Sequence, residues 1–262
     1  MSSSGPLRRA LPDYQIFVLP AVLVLSSVAA LSILGFRLYY SGTAGYWFMV
    51  WNLFLAWVPL AFAVPVYLLR DGGRRAVAPM LVLGVAWLLF FPNAPYLLTE
   101  FMHLDPGYRV SQRPLVRLAA VSPRGVVPVW YDVVLILAFA WNGLLLAFVS
   151  LHLVQRAVRH RLGASWGWAT VVLVLGLSGF GISLGRFQRW NSWDILSEPT
   201  ALLADVGHRL LVPHAHPRTT AVTILFAGFL LIAYVSVLAL AALHGNGNTG
   251  GRDGDGRRAT TA

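Results

Sequence analysis

The sequence contains no cysteine and very little charge. None of its 262 residues is Cys, and only 11% are charged, against 57% hydrophobic residues. The absence of thiols excludes disulfides, thiolate metal sites and thiol nucleophiles. Soluble domains usually carry about 25% charged residues, so water is not the main solvent of this chain.

Lysine is absent as well, since all 20 basic residues are arginine. They outnumber the carboxylates and give a net charge of +10. The arginines form short clusters beside apolar runs, which is typical of loops that face anionic lipid. The charge therefore predicts a lipid bilayer as the partner of this chain, and not a nucleic acid.

The apolar residues form long continuous runs. A membrane-spanning helix needs about 20 mostly apolar residues and satisfies its own backbone. The runs predict an all-α fold, a polytopic transmembrane helix bundle of about six spans within residues 1–244. Residues 245–262 are small or polar, which predicts a disordered C-terminal tail. The predicted spans are Tyr14–Leu34, Tyr46–Leu69, Ala76–Leu98, Val126–Val154, Trp166–Leu184 and Thr219–Leu243.

The arginines also predict the orientation of the bundle. Short loops rich in arginine favour the cytoplasmic side of a membrane. An even number of spans places both termini on the same side as the loops that hold Arg70–Arg75 and Arg156–Arg161. We expect that side to be the cytoplasmic face of a bacterial inner membrane. The first apolar run is too long for a cleaved signal, so we expect a retained first helix.

Most carboxylates and histidines fall on the opposite, outer side, in or beside the long loops 99–125 and 185–218. They are Glu100, Asp105, Asp132, Asp194, Glu198 and Asp205, with His103, His208, His214 and His216. The last three histidines have no diagnostic metal spacing and favour a solvated loop over a zinc site. Polar chemistry is therefore expected at the outer face.

The third span is interrupted by Pro92 and Pro95. Each proline lacks an N–H, so the carbonyls of Leu88 and Phe91 lose their helical partners. A neighbouring helix, Asn93, water or a ligand must satisfy them. Broken helices of this kind line substrate or ion sites in transporters, although an ordinary kinked helix end is commoner.

Glu100 and His103 follow the break with Glu-x-x-His spacing, which places both on one face of a helix. Carboxylate-bridged metal sites use this spacing, but they need two such motifs and further glutamates. A single motif with Asp105 nearby supplies too few ligands. We therefore expect no metal and no other cofactor.

Two polar residues stand out in the fourth span. Asp132 follows Trp130 and Tyr131, which favour the membrane interface. Asn142 lies near the middle of the span, where polar side chains usually face the bundle interior. For Asn142 we favour an interhelical hydrogen bond.

The fifth span is rich in small residues, and Gly181 with Gly185 predicts close helix packing. Arg186 and Arg189 follow, three residues apart, and would share a face if the helix continued. Two guanidinium groups beside a lipid surface suit a phosphate or a carboxylate. We expect a short interfacial helix after this span.

Unpaired charges at a boundary of low dielectric are unfavourable, so we expect Arg186 or Arg189 to form an ion pair. The candidate carboxylates are Glu100, Asp132 and Asp194. A fully compensated cluster would be structural. An arginine without a carboxylate partner would be available to bind an anionic headgroup.

Four strings carry a family resemblance: Phe91–Leu104, Trp130–Val133, Phe139–Gly143 and, most specifically, Gly181–Asp194. They resemble the bacterial membrane family called domain of unknown function thirteen-sixty-one, over roughly Met80–Glu198. The resemblance implies a polytopic membrane protein and supplies no activity.

Two interpretations of function stay open. One is a binding, transport or enzymatic site for an anionic or lipid-linked ligand at the outer face. The other is a structural or accessory membrane subunit whose polar groups only stabilise the bundle. In both, the candidate polar residues are Glu100, His103, Asp132, Arg186, Arg189, Asn191 and Asp194. No residue is identified as catalytic, and the oligomeric state is not determined by the sequence.

Overall fold

The computed structural model describes residues 13–42, 44–104 and 129–246. Within these ranges the chain contains helices and turns and no strand. The α-helices are α1 Asp13–Ser41, α2 Phe48–Leu68, α3 Val77–Phe90, α4 Asn93–Tyr96, α5 Val129–Leu162, α6 Ala164–Ser183, α7 Asp194–Ser197, α8 Pro199–Leu211 and α9 Pro217–Asn246. Further helical turns are the 3₁₀ segments Leu69–Asp71, Arg74–Ala76, Leu97–Leu104 and Pro213–Ala215, and the π-helical segment Leu184–Gln188.

Six helical segments of the described chain are long and apolar enough to cross a membrane. This confirms the predicted all-α bundle of six spans. The segments are Val18–Ser41, Phe48–Asp71, Arg74–Leu104, Trp130–Leu162, Ala164–Gln188 and Pro217–Leu243. Large apolar residues such as Leu81 on α3 and Leu225 on α9 are exposed on the outside of the bundle, where lipid is the matching solvent.

Helix α5 lies at the centre of the bundle. It packs against α1, α2, α6 and the 3₁₀ segment that follows α4, while α9 packs on α6. Side chains such as Leu135, Phe139 and Leu151 are fully buried along α5. In mid-span Asn142 donates to Ser27 Oγ on α1 at 3.0 Å, which confirms the predicted interhelical hydrogen bond.

The two ends of the bundle differ. We call the end that holds Ser41, Glu100 and Asp132 the long-loop end, because the long connection 184–216 and the two residues that flank 105–128 lie there. The opposite end, which holds Gly72 and Arg161, is the short-loop end. The amphipathic helix α8 follows the fifth span at the long-loop end and matches the predicted interfacial helix.

The fourth span continues past its predicted end at Val154 and reaches Leu162. Arg161, expected in a loop, donates from Nη2 to the carbonyl oxygens of Leu69 and Gly72. These bonds satisfy backbone carbonyls at the C-terminal end of α2. Arg161 therefore connects the second and fourth spans and does not belong to a solvated loop. The helix then ends at Gly163, which has a φ of 99°, a backbone conformation that residues other than glycine rarely adopt.

The glycines of the fifth span allow close packing, as predicted. A Cβ at Gly181 would lie 2.8 Å from Pro92 Cγ, and one at Gly179 would lie 2.5 Å from the backbone oxygen of Thr223 on α9. The fifth span therefore packs tightly against both the interrupted third span and the sixth span. Residues 245 and 246, predicted as tail, are helical in α9, and the rest of that tail and Asp105 lie outside the described residues.

Candidate functional site at the long-loop end

An ion pair between α1 and α5 lies at the long-loop end. Arg37 Nε lies 2.9 Å from Asp132 Oδ1, and Nη2 lies 3.3 Å from Oδ2. The Tyr46 hydroxyl donates to Oδ2 at 3.3 Å, and the Tyr46 ring lies 4.3 Å from the guanidinium carbon. The two charged side chains are only 9% and 5% exposed. This two-point pairing compensates both charges within the bundle.

Glu100 lies in the 3₁₀ segment after α4 and is 1% exposed. Its Oε1 accepts a hydrogen bond from Asn52 Nδ2 on α2 at 3.0 Å. Its Oε2 lies 2.9 Å from His103 Nδ1, yet it accepts no well-directed hydrogen bond from the described residues. One oxygen of a buried carboxylate therefore retains capacity to accept a hydrogen bond.

Arg186 reaches this carboxylate from the π-helical segment after α6. Its Nη1 lies 3.6 Å from Glu100 Oε1, and its Nη2 donates to the carbonyl of Thr99 at 3.0 Å. Nη1 also lies 3.3 Å from the Tyr96 hydroxyl. The expected ion pair is thus present, and its carboxylate is Glu100. Asp132 is paired with Arg37, which lies beyond the predicted end of the first span at Leu34.

His103 stands between the two charged groups. Its Nδ1 lies 2.9 Å from Glu100 Oε2 and 3.3 Å from Arg186 Nη2. A protonated Nδ1 can donate to Glu100 but cannot accept from Arg186, and an unprotonated Nδ1 can only accept. In either state Nδ1 can serve only one of these two neighbours, while Arg186 Nη2 also donates to the Thr99 carbonyl.

Arg189 does not belong to this cluster. The π-helical segment ends at Gln188, and Arg189 has a left-handed backbone with φ of 63° and an exposed side chain. The prediction that Arg186 and Arg189 share a helical face is wrong, because the helix ends between them. No ion pair joins Arg189 to a carboxylate of the described chain. A left-handed backbone is uncommon for residues other than glycine.

Asn191 and Asp194 make their hydrogen bonds within one turn. The backbone N–H of Asn191 donates to Asp194 Oδ2 at 2.6 Å, and Ser197 Oγ donates to Oδ1 at 3.3 Å. These bonds shape the entry to α7 and do not reach Glu100 or Asp132. The structure thus brings Glu100, His103 and Arg186 together and leaves the other candidates outside that contact.

A second contact fixes this turn to α8. Trp190 Nε1 donates to Asp205 Oδ2 at 3.0 Å, and Arg209 Nε donates to Oδ1 at 2.9 Å. Burial alone would raise the pKa of Asp205, but the hydrogen bonds from Arg209 and Trp190 outweigh it and hold that pKa below its ordinary value. Asp205 therefore stays ionised and holds α8 against the end of the fifth span.

Side chains satisfy two backbone carbonyls at the proline break in the third span. Asn93 Nδ2 donates to the carbonyl of Phe90 at 2.9 Å and lies 3.0 Å from Ser192 Oγ, which donates to the carbonyl of Leu89 at 2.9 Å. The Phe91 carbonyl accepts from the Ala94 N–H at 3.2 Å. Asn93 was a predicted partner for the carbonyls of Leu88 and Phe91, but it binds the carbonyl of Phe90 instead. Ser192 was not predicted, because a sequence does not reveal that the loop after the fifth span docks on the third.

Beside the break lies a cavity of about 360 Å³. Its walls come from α2, the α3–α4 break, the end of the fifth span and the amphipathic α8. Most of the surface is apolar, with Asn52, Asn93 and Asn191 as polar positions. Aromatic and aliphatic walls include Trp51, Trp190, Trp193, Leu55, Leu202 and Leu203. Asn52 also donates to Glu100, and the Tyr96 hydroxyl accepts from Arg186, so two side chains that line the cavity contact the buried cluster.

No group of three or more His, Cys, Asp or Glu side chains converges among the described residues. Glu100 and His103 face each other and Arg186, an arrangement unsuited to a metal because the arginine supplies a positive charge and no ligand. The absence of a metal or another cofactor stays a prediction.

Three residues of the site were not predicted from the sequence: Arg37, Tyr46 and Asn52. Arg37 carried a usable signal, since it is the one basic residue between the first two arginine clusters and a charge near a span usually has a partner. Tyr46 and Asn52 carried none, because tyrosine and asparagine are ordinary residues at a membrane boundary.

Comparisons with known proteins give a family and no further relative. Neither the curated proteins nor the solved structures contain a match to this chain. The family described as protein of unknown function (DUF1361) matches residues 51–233, which is more than half of the chain. That range begins within α2, ends within α9 and includes most of the site, but not Arg37 or Tyr46. The chain is an integral membrane protein that belongs to the DUF1361 family.

Proposed function

We propose that this protein binds an anionic, lipid-linked ligand at the long-loop end of the bundle. The observation that carries the proposal is the largely apolar cavity of about 360 Å³ at the long-loop end of the spans. Ligand pockets are typically apolar concavities of about 300–1,000 Å³ with a few convergent polar groups. The apolar part of the ligand packs against the wall formed by Trp51 and Trp193, whose rings are in contact with each other, and its polar part lies toward Asn52.

The Glu100 cluster supports this assignment. Asn52 lines the cavity and donates to Glu100, whose other oxygen accepts no well-directed hydrogen bond in the described chain. A hydroxyl or amide of a bound ligand can bond to Asn52, the side chain that donates to Glu100 Oε1. Ligand binding is thereby coupled to the buried cluster, because hydrogen bonds in one network influence each other.

Arg189 supplies the positive charge for the anionic part. Arg186 is occupied by Glu100 and the Thr99 carbonyl, whereas Arg189 is exposed and has no ion pair with a described carboxylate. It lies two residues before Asn191, which lines the cavity. Arginine presents a planar fork that suits phosphate or carboxylate oxygens.

A photoreactive phosphatidylglycerol with a diazirine in its acyl chain tests the proposal. With the purified full chain in phosphatidylcholine vesicles, we expect saturable labelling at Leu202 or Leu203 that excess phosphatidylglycerol suppresses. Labelling of the lipid-facing Leu225 on α9 should not saturate. Leu202→Trp fills the cavity and should remove the saturable component, whereas Leu225→Trp should not.

The structural alternative rests on the compensated Arg37–Asp132 pair, which needs no ligand. It predicts that labelling at the cavity is as unspecific as labelling at Leu225, and that Leu202→Trp changes nothing but stability. Either result would exclude ligand binding in this cavity.

We further propose that the long-loop end faces outward and that both termini are cytoplasmic, as the arginine clusters suggest. The chain has no cysteine, so single cysteines report exposure in whole cells without background. Thr200→Cys should react with an impermeant thiol reagent, and Gly73→Cys, where a Cβ meets no atom within 4 Å, should not. The reverse pattern would invert the topology.

A further inference from the structure

A second, smaller cavity of about 230 Å³ lies at the same end of the bundle. It is formed by the end of the fifth span, the last turns of α8 and the start of α9. No residue lines both cavities. The second cavity can therefore be tested separately from the proposed lipid-linked ligand.

Two arginines give this cavity a positive charge. Arg218 lies with its guanidinium carbon 3.9 Å from the centre of the Phe187 ring and has no ion pair with a carboxylate of the described chain. Arg209 is held by Asp205 at 2.9 Å and by Thr219 Oγ1 at 3.1 Å. Asp205 offsets one of the two charges, so one full positive charge remains.

The start of α9 adds to this field. The helix begins at Pro217, and the first turn of any α-helix has backbone N–H groups without an intrahelical acceptor. Here those of Arg218 and Thr219 belong to residues that line the cavity. The N-terminus of the 30-residue helix α9 also carries the positive end of the helix dipole, which favours an anion.

Ser183 provides an independent sign of a missing ligand. It lines the cavity, is 1% exposed, and its Oγ has no hydrogen-bond partner among the described residues. Ser27 and Ser236 on other helices donate to the carbonyl four residues earlier, whereas Ser178 and Ser183 on α6 have no hydrogen-bond partner among the described residues. Ser183 differs from Ser178 because it lines this cavity together with two arginines, so its hydroxyl is available as a donor there.

We propose that this cavity binds a phosphate group, with Arg218, the Ser183 hydroxyl and the first N–H groups of α9 as its donors. Arg209 contributes charge and is kept in place by Asp205. Phosphate offers several acceptor oxygens to a site that is rich in donors and holds one uncompensated positive charge. The phosphate belongs either to a lipid headgroup or to a soluble ion or ester.

Titration of the purified full chain in an uncharged detergent with inorganic phosphate, at constant ionic strength, tests the site. We expect saturable binding, followed as a rise in the thermal unfolding temperature. Arg218→Gln should weaken it at least about tenfold, because a hydrogen bond to a charged group is lost. Ser183→Ala should weaken it less. Arg75→Gln removes an exposed arginine at the other end of the bundle and should leave binding unchanged.

Vesicles of phosphatidylcholine with and without phosphatidic acid distinguish the two sources. If phosphatidic acid binds and free phosphate does not, in a manner sensitive to Arg218→Gln, the site takes a lipid headgroup. If free phosphate binds with the same sensitivity, the site takes a soluble phosphate. Binding of neither probe, or equal binding to Arg218→Gln and Arg75→Gln, would overturn the proposal. Loss of labelling in the first cavity would not affect it.

Discussion

The two buried ion pairs of this bundle are built differently, although they lie at the same end and the Tyr46 and His103 rings between them are 6.4 Å apart. Arg37 and Asp132 meet at two points, at 2.9 and 3.3 Å, with a tyrosine hydroxyl on the same carboxylate. Arg186 approaches Glu100 only at 3.6 Å. The first pair satisfies itself, and the second leaves Glu100 Oε2 without a well-directed donor.

The difference distinguishes a structural pair from one that is prepared for a further partner. A compensated buried pair gains little from a ligand, because any new contact competes with existing bonds. A cluster with an unsatisfied oxygen is more easily rearranged when a ligand binds beside it. The second cluster is connected to a cavity, through Asn52 and Tyr96. Stability should therefore depend most on the first pair, and ligand binding on the second cluster.

The largest expected effect is that of Asp132→Asn. It leaves Arg37 buried without its carboxylate, which typically costs about 3–5 kcal/mol. Unfolding in mixed detergent micelles measures the loss, and the double variant with Arg37→Gln should lose less than the sum of the single variants. Asp71→Asn, at a side chain that is 52% exposed, is the control and should have little effect. Additive losses would mean that Arg37 and Asp132 do not interact.

A smaller effect is expected for Glu100→Gln, about 1.5–3 kcal/mol by the same measurement. The substituted amide still accepts from Asn52, and Arg186 keeps the Thr99 carbonyl. The coupling energy between Glu100 and Arg186 should be below that between Asp132 and Arg37. A larger loss than for Asp132→Asn would reverse the assignment of structural and ligand-binding roles.

The smallest effect is expected at the partly exposed pair of Asp205 and Arg209, which extends the comparison to the surface. Asp205→Asn should cost about 0.2–1 kcal/mol at neutral pH. Because the folded state holds the pKa of Asp205 below its ordinary value, this contribution is present above about pH 4 and is lost as the pH falls further. Stability curves of the wild type and the variant should therefore converge below about pH 4. Curves that stay parallel there would show that Asp205 is not the titrating group.

Helix number and type followed from the sequence because lipid leaves few choices. An apolar run of about 20 residues can only be satisfied as a helix, so six runs gave six spans. The predicted ends of helices were less accurate where a helix continues beyond its apolar run and carries charged residues there. Arg37 and Arg161 both fall in helices where loops were expected, since each finds its partner on another span.

The site was only partly predictable. The sequence spacing of Glu100 and His103 predicted that the two side chains lie together. The cost of an unpaired buried charge predicted an ion pair with an arginine, which is Arg186. Asn191 and Asp194 instead bond within their own turn, because they are three residues apart and the turn itself satisfies their polar groups. Their proximity in sequence to Arg186 did not indicate proximity to Glu100.

The sequence by itself determined the solvent of this protein, its helical class, the number of its spans and the segments where polar groups collect. These properties depend on composition and on the length of apolar runs, which local residues decide. Only the tertiary structure decided which arginine meets which carboxylate, that Ser192 closes the proline break, and that Asn52 joins the buried cluster to a cavity. Those contacts join residues up to about 100 positions apart, and the packing of helices around α5 sets them.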